Sequence, residues 1–172
     1  EIFLVAISDN SGFEHLISGD EKTILKQMVE CVLERDPDVI EGHNILGFDL
    51  PYIAARAKLH GLGLGLGRNG SEMAFGSSQT CAIGYYSRPF VPVHIWGRQV
   101  LDTYFGVQRY DISRGALPSY GLKVVAEAFG VAEPERRHIP HDRIAREWKA
   151  DPDKVSTYTI QDARETRAVA GI

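Results

Sequence analysis

The spacing of apolar positions changes along the chain, and each change marks an element. Residues 2–8 (IFLVAIS) form a short β-rich run that breaks at Asp9-Asn10-Ser11-Gly12, a strong turn signal. Phe13 to Ser18 then predicts a second strand, so the pair reads as a hairpin. Asp20 is a good N-cap for a helix whose Ile24, Leu25, Met28, Val29, Val32 and Leu33 recur at helical spacing and which should stop before Asp36-Pro37. Val39 and Ile40 begin a brief buried strand that ends near His43-Asn44. Phe48 to His60 predicts a second helix, with Pro51 in its first turn and Gly61 at its end. Residues 79–108 alternate short apolar runs with Gly and Pro, which predicts a hairpin and then a core strand ending near Val100-Leu101-Asp102. Tyr120 to Phe129 reads as a helix closed by Gly130, and residues 131–142 as a polar loop. Asp142 is expected to cap a helix through Trp148, and Asp151-Pro152 to start a last helix running to about Ala170. Strands that alternate with helices after an initial hairpin argue for an α/β sandwich. With no internal repeat and no linker, residues 1–172 are read as a single domain.

Composition narrows the classes. Hydrophobic residues make up 44% and charged residues 24%, as in an ordinary globular protein with a real core. No run approaches the roughly 18–20 apolar residues of a membrane span, and the apolar opening lacks the basic stretch and cleavage site of a signal peptide. Cys31 and Cys81 form no paired motif and read as free thiols, which suits a cytoplasmic protein. A net charge of −4 argues against a general nucleic-acid coat, but not against a nuclease, whose metal-holding carboxylates are themselves acidic. GLGLGLGRNG (61–70) contains a formal G-x-G-x-x-G at Gly65, Gly67 and Gly70. That fingerprint needs a strand before it and a helix after it. Here the order is helix and then polar loop, so a mobile loop is expected instead of a cofactor site.

Two segments carry candidate chemistry. In GHNILGFDLPYI (42–53) a polar strand end leads into a helix with Asp49 in its first turn. In YTIQD (158–162), Tyr158 and Asp162 are four apart and share a helix face. Each has a plain structural reading: Asn44 capping a turn, Asp49 serving the helix dipole, Tyr158 and Asp162 as a surface pair. Together they resemble the second and third exonuclease motifs of family-B DNA polymerases: Asn44 with Phe48-Asp49, then Tyr158-x-x-x-Asp162. DPDVIEGHN, GRQVLDTY, LPSYGLKVVAEAFGV, the IPH-containing loop and QDARETR look like segments of that family in the expected order.

The resemblance implies a ribonuclease H-like fold, a mixed sheet flanked by helices. It also implies hydrolysis of a DNA 3′ end by two divalent ions, magnesium or manganese. Such ions lie roughly 3.5–4 Å apart and prefer oxygen ligands, hence a cage of carboxylates. Carried over, Asp49 and Asp162 are metal ligands, Tyr158 orients the attacking water, and Asn44 and Phe48 sit beside the primer end. Implied partners are a single-stranded DNA 3′ end and the polymerase portion of a parent chain. The family's first motif, Asp-x-Glu on a central strand, occurs nowhere in the sequence. The expectation is therefore a fragment that begins after this strand, ends about where the polymerase portion would begin, and is inactive alone.

Without that strand, residues 2–8 and 38–43 should each lose a partner. Either residues 2–8 shift inward, or an added strand or a second copy of the chain fills the gap as an edge dimer. Asp102 is weighed as a site-lining group and as the cap of the next helix, and His43 is expected to be packed. His138, His141, Arg136, Arg137 and Arg143 could touch phosphates or form a solvated face. The rival to an exonuclease is a non-catalytic nucleic-acid-binding or structural domain on the same fold. A free-standing exonuclease would share the chemistry.

Overall fold

The computed structural model describes residues 1–84, 86–136 and 138–172, and of residues 86 and 141 the backbone alone. The chain opens with the expected hairpin, β1 (Leu4–Ser8) and β2 (Glu14–Ser18), paired antiparallel with Ala6 opposite Leu16. Asp9 closes its turn by accepting from Ser11 N and Phe13 N. Helix α1 (Glu21–Arg35) begins where the Asp20 carboxylate accepts from Thr23 N at 3.1 Å. Its apolar stripe, Ile24, Leu25, Met28 and Cys31, is buried. The helix ends at Asp36, whose φ of 44° stops it one residue before Pro37.

Strand β3 (Val39–Gly42) leads through a turn to α2 (Asp49–Leu59). Next come β4 (Ala74–Phe75), β5 (Gln79–Ile83), β6 (Tyr86–Phe90), β7 (Val93–His94) and β8 (Gln99–Asp102). Helices α3 (Thr103–Asp111), α4 (Leu122–Ala128), α5 (Ile144–Ala150) and α6 (Pro152–Ala170) complete the order, with a 3₁₀ turn at His141–Arg143. Asp151 caps α6 by accepting from Lys154 N at 3.0 Å, and Pro152 occupies the first turn, as expected. The expected cap of α5 is different: Arg143 holds the N-cap place with no side-chain bond, because the 3₁₀ turn takes up Asp142.

The fold is mixed α/β, but among the described residues its strands form separate two-stranded ladders: β1–β2, β4–β7 and β5–β6 antiparallel, β3–β8 parallel. The inward shift of residues 2–8 does not occur, since β1 pairs with β2 and not with β3. Helix α6 instead packs against both β1 and β3. The main core lies between the hairpin, α1, α2 and the segments around Leu64, Leu66, Val93 and Ile95. A second cluster joins Ile139, Val155 and Tyr158 to Leu4 and Trp148, and a third joins Val107, Val125 and Val169.

One feature departs from the sequence reading. The 61–70 loop is tied down: Leu64 and Leu66 are buried, and Arg68 donates to Asp36, Asp38 and the Gly97 carbonyl. Glu21, 5% exposed, is a buried hub that accepts from Ile2 N (2.6 Å), Arg56 Nε (2.7 Å) and His60 Nε2 (2.7 Å). The Arg56 guanidinium holds its carboxyl well below the usual range and fixes α2 against α1 and the first residues. No described helix is long and apolar enough to cross a membrane.

Candidate active site

The parallel strands β3 and β8 end side by side, with Gly42 opposite Asp102. Chain reversals at the carboxyl ends of parallel strands are where α/β folds make clefts. After Gly42 the backbone turns through Asn44, whose φ of 65° is a left-handed conformation that asparagine tolerates. Gly47 N and Phe48 N both donate to the Asn44 carbonyl, at 3.1 and 2.9 Å. A Cβ on Gly47 would lie 2.4 Å from Asn44 Oδ1, so a larger residue there would have to push the Asn44 side chain aside.

Asp102 holds the turn from the other strand. Its Oδ1 accepts from Asn44 N (2.8 Å) and Tyr104 N (3.0 Å), and its Oδ2 from Leu46 N (3.1 Å). It caps α3, the structural role weighed for it, and in addition fixes the Asn44 loop. His43 is packed as expected: Nε2 donates to the Tyr120 carbonyl at 2.7 Å, and Nδ1 shares a 2.9 Å bond with the Thr103 hydroxyl. Both ring nitrogens are used, which leaves none for a metal.

Asp49 stands in the first turn of α2, as the sequence predicts. Protein packed around its carboxyl raises its pKa to about 6, with a smaller push from the Asp102 charge, while its own backbone N–H pulls the other way. The residue still presents an exposed face to solvent, which moderates the size of the rise and leaves its direction. Beside it Phe48 is 59% exposed and stacks on Tyr52, with ring centres 5.6 Å apart and planes 7° from parallel. The Tyr52 hydroxyl accepts from the Glu1 amino group at 2.7 Å.

On α6, Tyr158 and Asp162 do share a face, and the buried Tyr158 hydroxyl donates to the Asp162 carboxylate. Burial first, and the Asp162 charge second, push the phenol's pKa well above its ordinary value. Asp162 is also paired with Arg136 Nη2 at 2.8 Å. The same nitrogen lies 2.7 Å from Glu165 Oε2, which is 1% exposed. That second contact is an ion pair without hydrogen-bond alignment, since Glu165 Oε2 has no hydrogen-bond partner. Burial raises the Glu165 pKa even though Arg136 opposes it.

The solvated-face reading of the 136–143 cluster thus holds for His138 and Arg143, both exposed, and not for Arg136, whose side chain is 9% exposed. Arg137 and the His141 side chain lie outside the described residues. From α4, Lys123 Nζ donates to His138 Nδ1 at 2.7 Å and sits 4.8 Å from the Tyr158 ring centre. Burial lowers the pKa of this ammonium, and Asp162 opposes the effect.

The structure therefore joins Asn44 and Asp49 to Asp102, and Tyr158 to Asp162, Arg136 and Lys123. Among the described residues, no three His, Cys, Asp or Glu side chains converge to hold a metal ion. Lys123 and Glu165 were not singled out from sequence. Glu165 lies on α6 with Tyr158 and Asp162, at i, i+4 and i+7 of one helix face, and was open to a periodicity reading, whereas Lys123 comes from α4 and only the fold brings it to Tyr158.

Residues 7–125 match the family described as DNA polymerase family B, exonuclease domain. A DNA polymerase of Pyrococcus glycovorans is 34% identical over 153 residues, covering 87% of this chain and 18% of the relative. One from Archaeoglobus fulgidus is 29% identical over 172 residues, covering 98% of this chain and 20% of the relative. Among solved structures, the family B DNA polymerase of the hyperthermophilic archaeon Pyrobaculum calidifontis superposes with a TM-score of 0.73 at 28% identity, over 94% of this chain and 20% of that one. The chain thus spans a fifth or less of the length of these relatives.

Proposed function

Because the chain belongs to the exonuclease domains of family-B DNA polymerases, we propose that Asp49 and Asp162 are two of the metal ligands of a 3′-5′ exonuclease site that trims DNA 3′ ends during proofreading. The observation that carries this reading is Asp49 itself. It is a carboxylate in the first turn of α2, just beyond the turn that Asp102 holds at the end of β3 and β8, with its pKa raised to about 6. Two neighbouring carboxylates, one resisting ionisation, favour a nearby divalent cation.

In kind, the donors fit magnesium or manganese, since Asp49 and Asp162 offer only oxygen. In number they fall short of a two-ion cage, because no three ligands converge among the described residues. On this reading the remaining carboxylates lie outside residues 1–172, on the central strand of a ribonuclease H-like sheet between β1 and β3, and the polymerase portion follows this domain. Bound divalent ions would supply the activated water and the charge that meets the leaving oxygen.

This chain's own residues position the substrate. Phe48, exposed and backed by Tyr52, offers a stacking face to a base at the 3′ end. Asn44 borders the same place, and the Tyr158 hydroxyl, held against Asp162, orients the attacking water. The partner is single-stranded DNA at a frayed 3′ end, and the compartment the cytoplasm.

The shortage of converging ligands favours one rival, a non-catalytic nucleic-acid-binding domain on the same fold. The full-length protein, given a 5′-labelled single strand with magnesium or manganese, distinguishes the two. The nuclease reading expects a ladder that shortens one nucleotide at a time from the 3′ end and stops on chelation. Binding without hydrolysis in either ion would establish the rival.

A further inference from the structure

Among the described residues around Tyr158, Lys123 is a cation whose hydrogen bond reaches an uncharged acceptor. The guanidinium of Arg136 is committed to Asp162 and Glu165 at 2.8 and 2.7 Å, with 9% of the side chain exposed. The Lys123 ammonium donates to an imidazole nitrogen, which carries no negative charge to offset it, at the solvent-facing side of the group. Three separate elements bring it there: the first turn of α4, the loop at His138, and Tyr158 on α6. The 4.8 Å contact with the Tyr158 ring centre fixes the charge on the face of a phenol whose hydroxyl binds Asp162.

An anionic substrate drawn to this acidic region needs fixed positive charge, and lysine meets phosphate as a point charge on a flexible stem. We propose that Lys123, steadied by His138, is a phosphate contact of the nuclease site, taking a non-bridging oxygen of the DNA backbone as the 3′ end lies along Tyr158 and Asp162. This rests on the exonuclease reading and names a substrate contact within it. Lys123 is a positioning residue for DNA; no proton transfer is assigned to it.

The test compares Lys123→Met, Lys123→Arg and, as a control, Lys26→Met on the exposed face of α1 in the full-length protein. Binding of a fluorescein-labelled oligothymidylate is followed by anisotropy at several potassium chloride concentrations, in chelator so that nothing is hydrolysed. Each phosphate contact on a single strand contributes about 0.7 to the slope of log K against log salt. Lys123→Met is expected to flatten that slope by about this amount and to weaken binding roughly 3- to 10-fold at low salt. Lys123→Arg should keep the slope, Lys26→Met should leave both unchanged, and melting temperatures should agree across the set. In magnesium, Lys123→Met should raise KM more than it lowers kcat.

An unchanged slope in Lys123→Met, with DNA still bound, overturns the assignment of Lys123 and leaves the nuclease reading standing. A flattened slope with no hydrolysis in any variant sinks the nuclease reading and keeps the DNA contact. A protein that binds no single strand overturns both.

Discussion

Asp49 keeps a charge where the surrounding protein resists it. Its pKa is raised to about 6 from 3.8, so the folded state holds a proton between those values that the unfolded chain has lost. The strain of ionisation is therefore fully present above about pH 6 and fades as pH falls toward 4. Asp49→Asn should stabilise the protein at pH 7.5 and bring little gain at pH 4. The rise, taken at face value, would be worth about 3 kcal/mol. Because the residue has an exposed face, solvent screening reduces the expected gain to about 1 kcal/mol, or a melting-point increase of about 2–4 °C for a chain of this size. Thermal melts of both proteins at the two pH values measure it, and a gain that is larger at pH 4 would reverse the assignment. The position of Asp49 in the first turn of α2 was legible in sequence, because Asn44 and the helix that follows fix it locally. The role of Asp102 was only half legible. A side chain that accepts from Asn44 and Leu46, on a segment over fifty residues away in sequence, leaves no local pattern.

At the scale of elements, Arg136 fastens the 131–138 loop to α6. Its guanidinium faces Asp162 and the buried Glu165, and Arg164 on the next turn reaches Glu14 on β2 and Glu133 in the same loop. Arg136→Met would leave Glu165 buried without its cation, which costs about 3 kcal/mol when a pair is broken on one side. The expected result is a melting point lower by roughly 6–12 °C. Since burial has already raised the Glu165 pKa, the deficit should shrink as pH falls and Glu165 protonates. Glu165→Gln in the Arg136→Met background should recover part of the loss. A loss below about 0.5 kcal/mol would mark the pair as behaving like a surface ion pair. Sequence could not show this fastening, because an arginine in a polar loop with two others reads as solvated. Tyr158 and Asp162 were legible because a helix puts residues four apart on one face. Lys123 was not, since it meets them only through packing of α4 on α6, while Glu165 shares their helix face and only its burial under the loop was hidden.

For the whole molecule, the hairpin and the β3–β8 pair are separate ladders held to one another through α6. Among the described residues, no strand pairs with the second edge of β3. An unpaired edge next to a core invites another strand, so the 172-residue chain alone should self-associate as its concentration rises. Light scattering after size exclusion would show it, and Glu41→Pro should abolish it by removing a donor from that edge, since in the β3–β8 register the backbone of Glu41 faces away from β8. A monomer at the highest attainable concentration would mean that α6 covers the edge sufficiently. The element order and most helix boundaries were legible from periodicity and caps, while the breakup into small ladders was not, because strand pairing is decided by distant partners.

Asp49 and Asp162, on different helices, are proposed to serve one metal-dependent site. Residues that act as a unit lose activity together and not in proportion. The most direct test is the rate of 3′-5′ hydrolysis by the full-length protein with Asp49→Asn, Asp162→Asn and both changes. Each single change should lower the rate by roughly 100- to 1000-fold, and the double variant should be no slower than the slower single one. Losses that multiply in the double variant, or either single variant keeping its rate, would contradict the shared site.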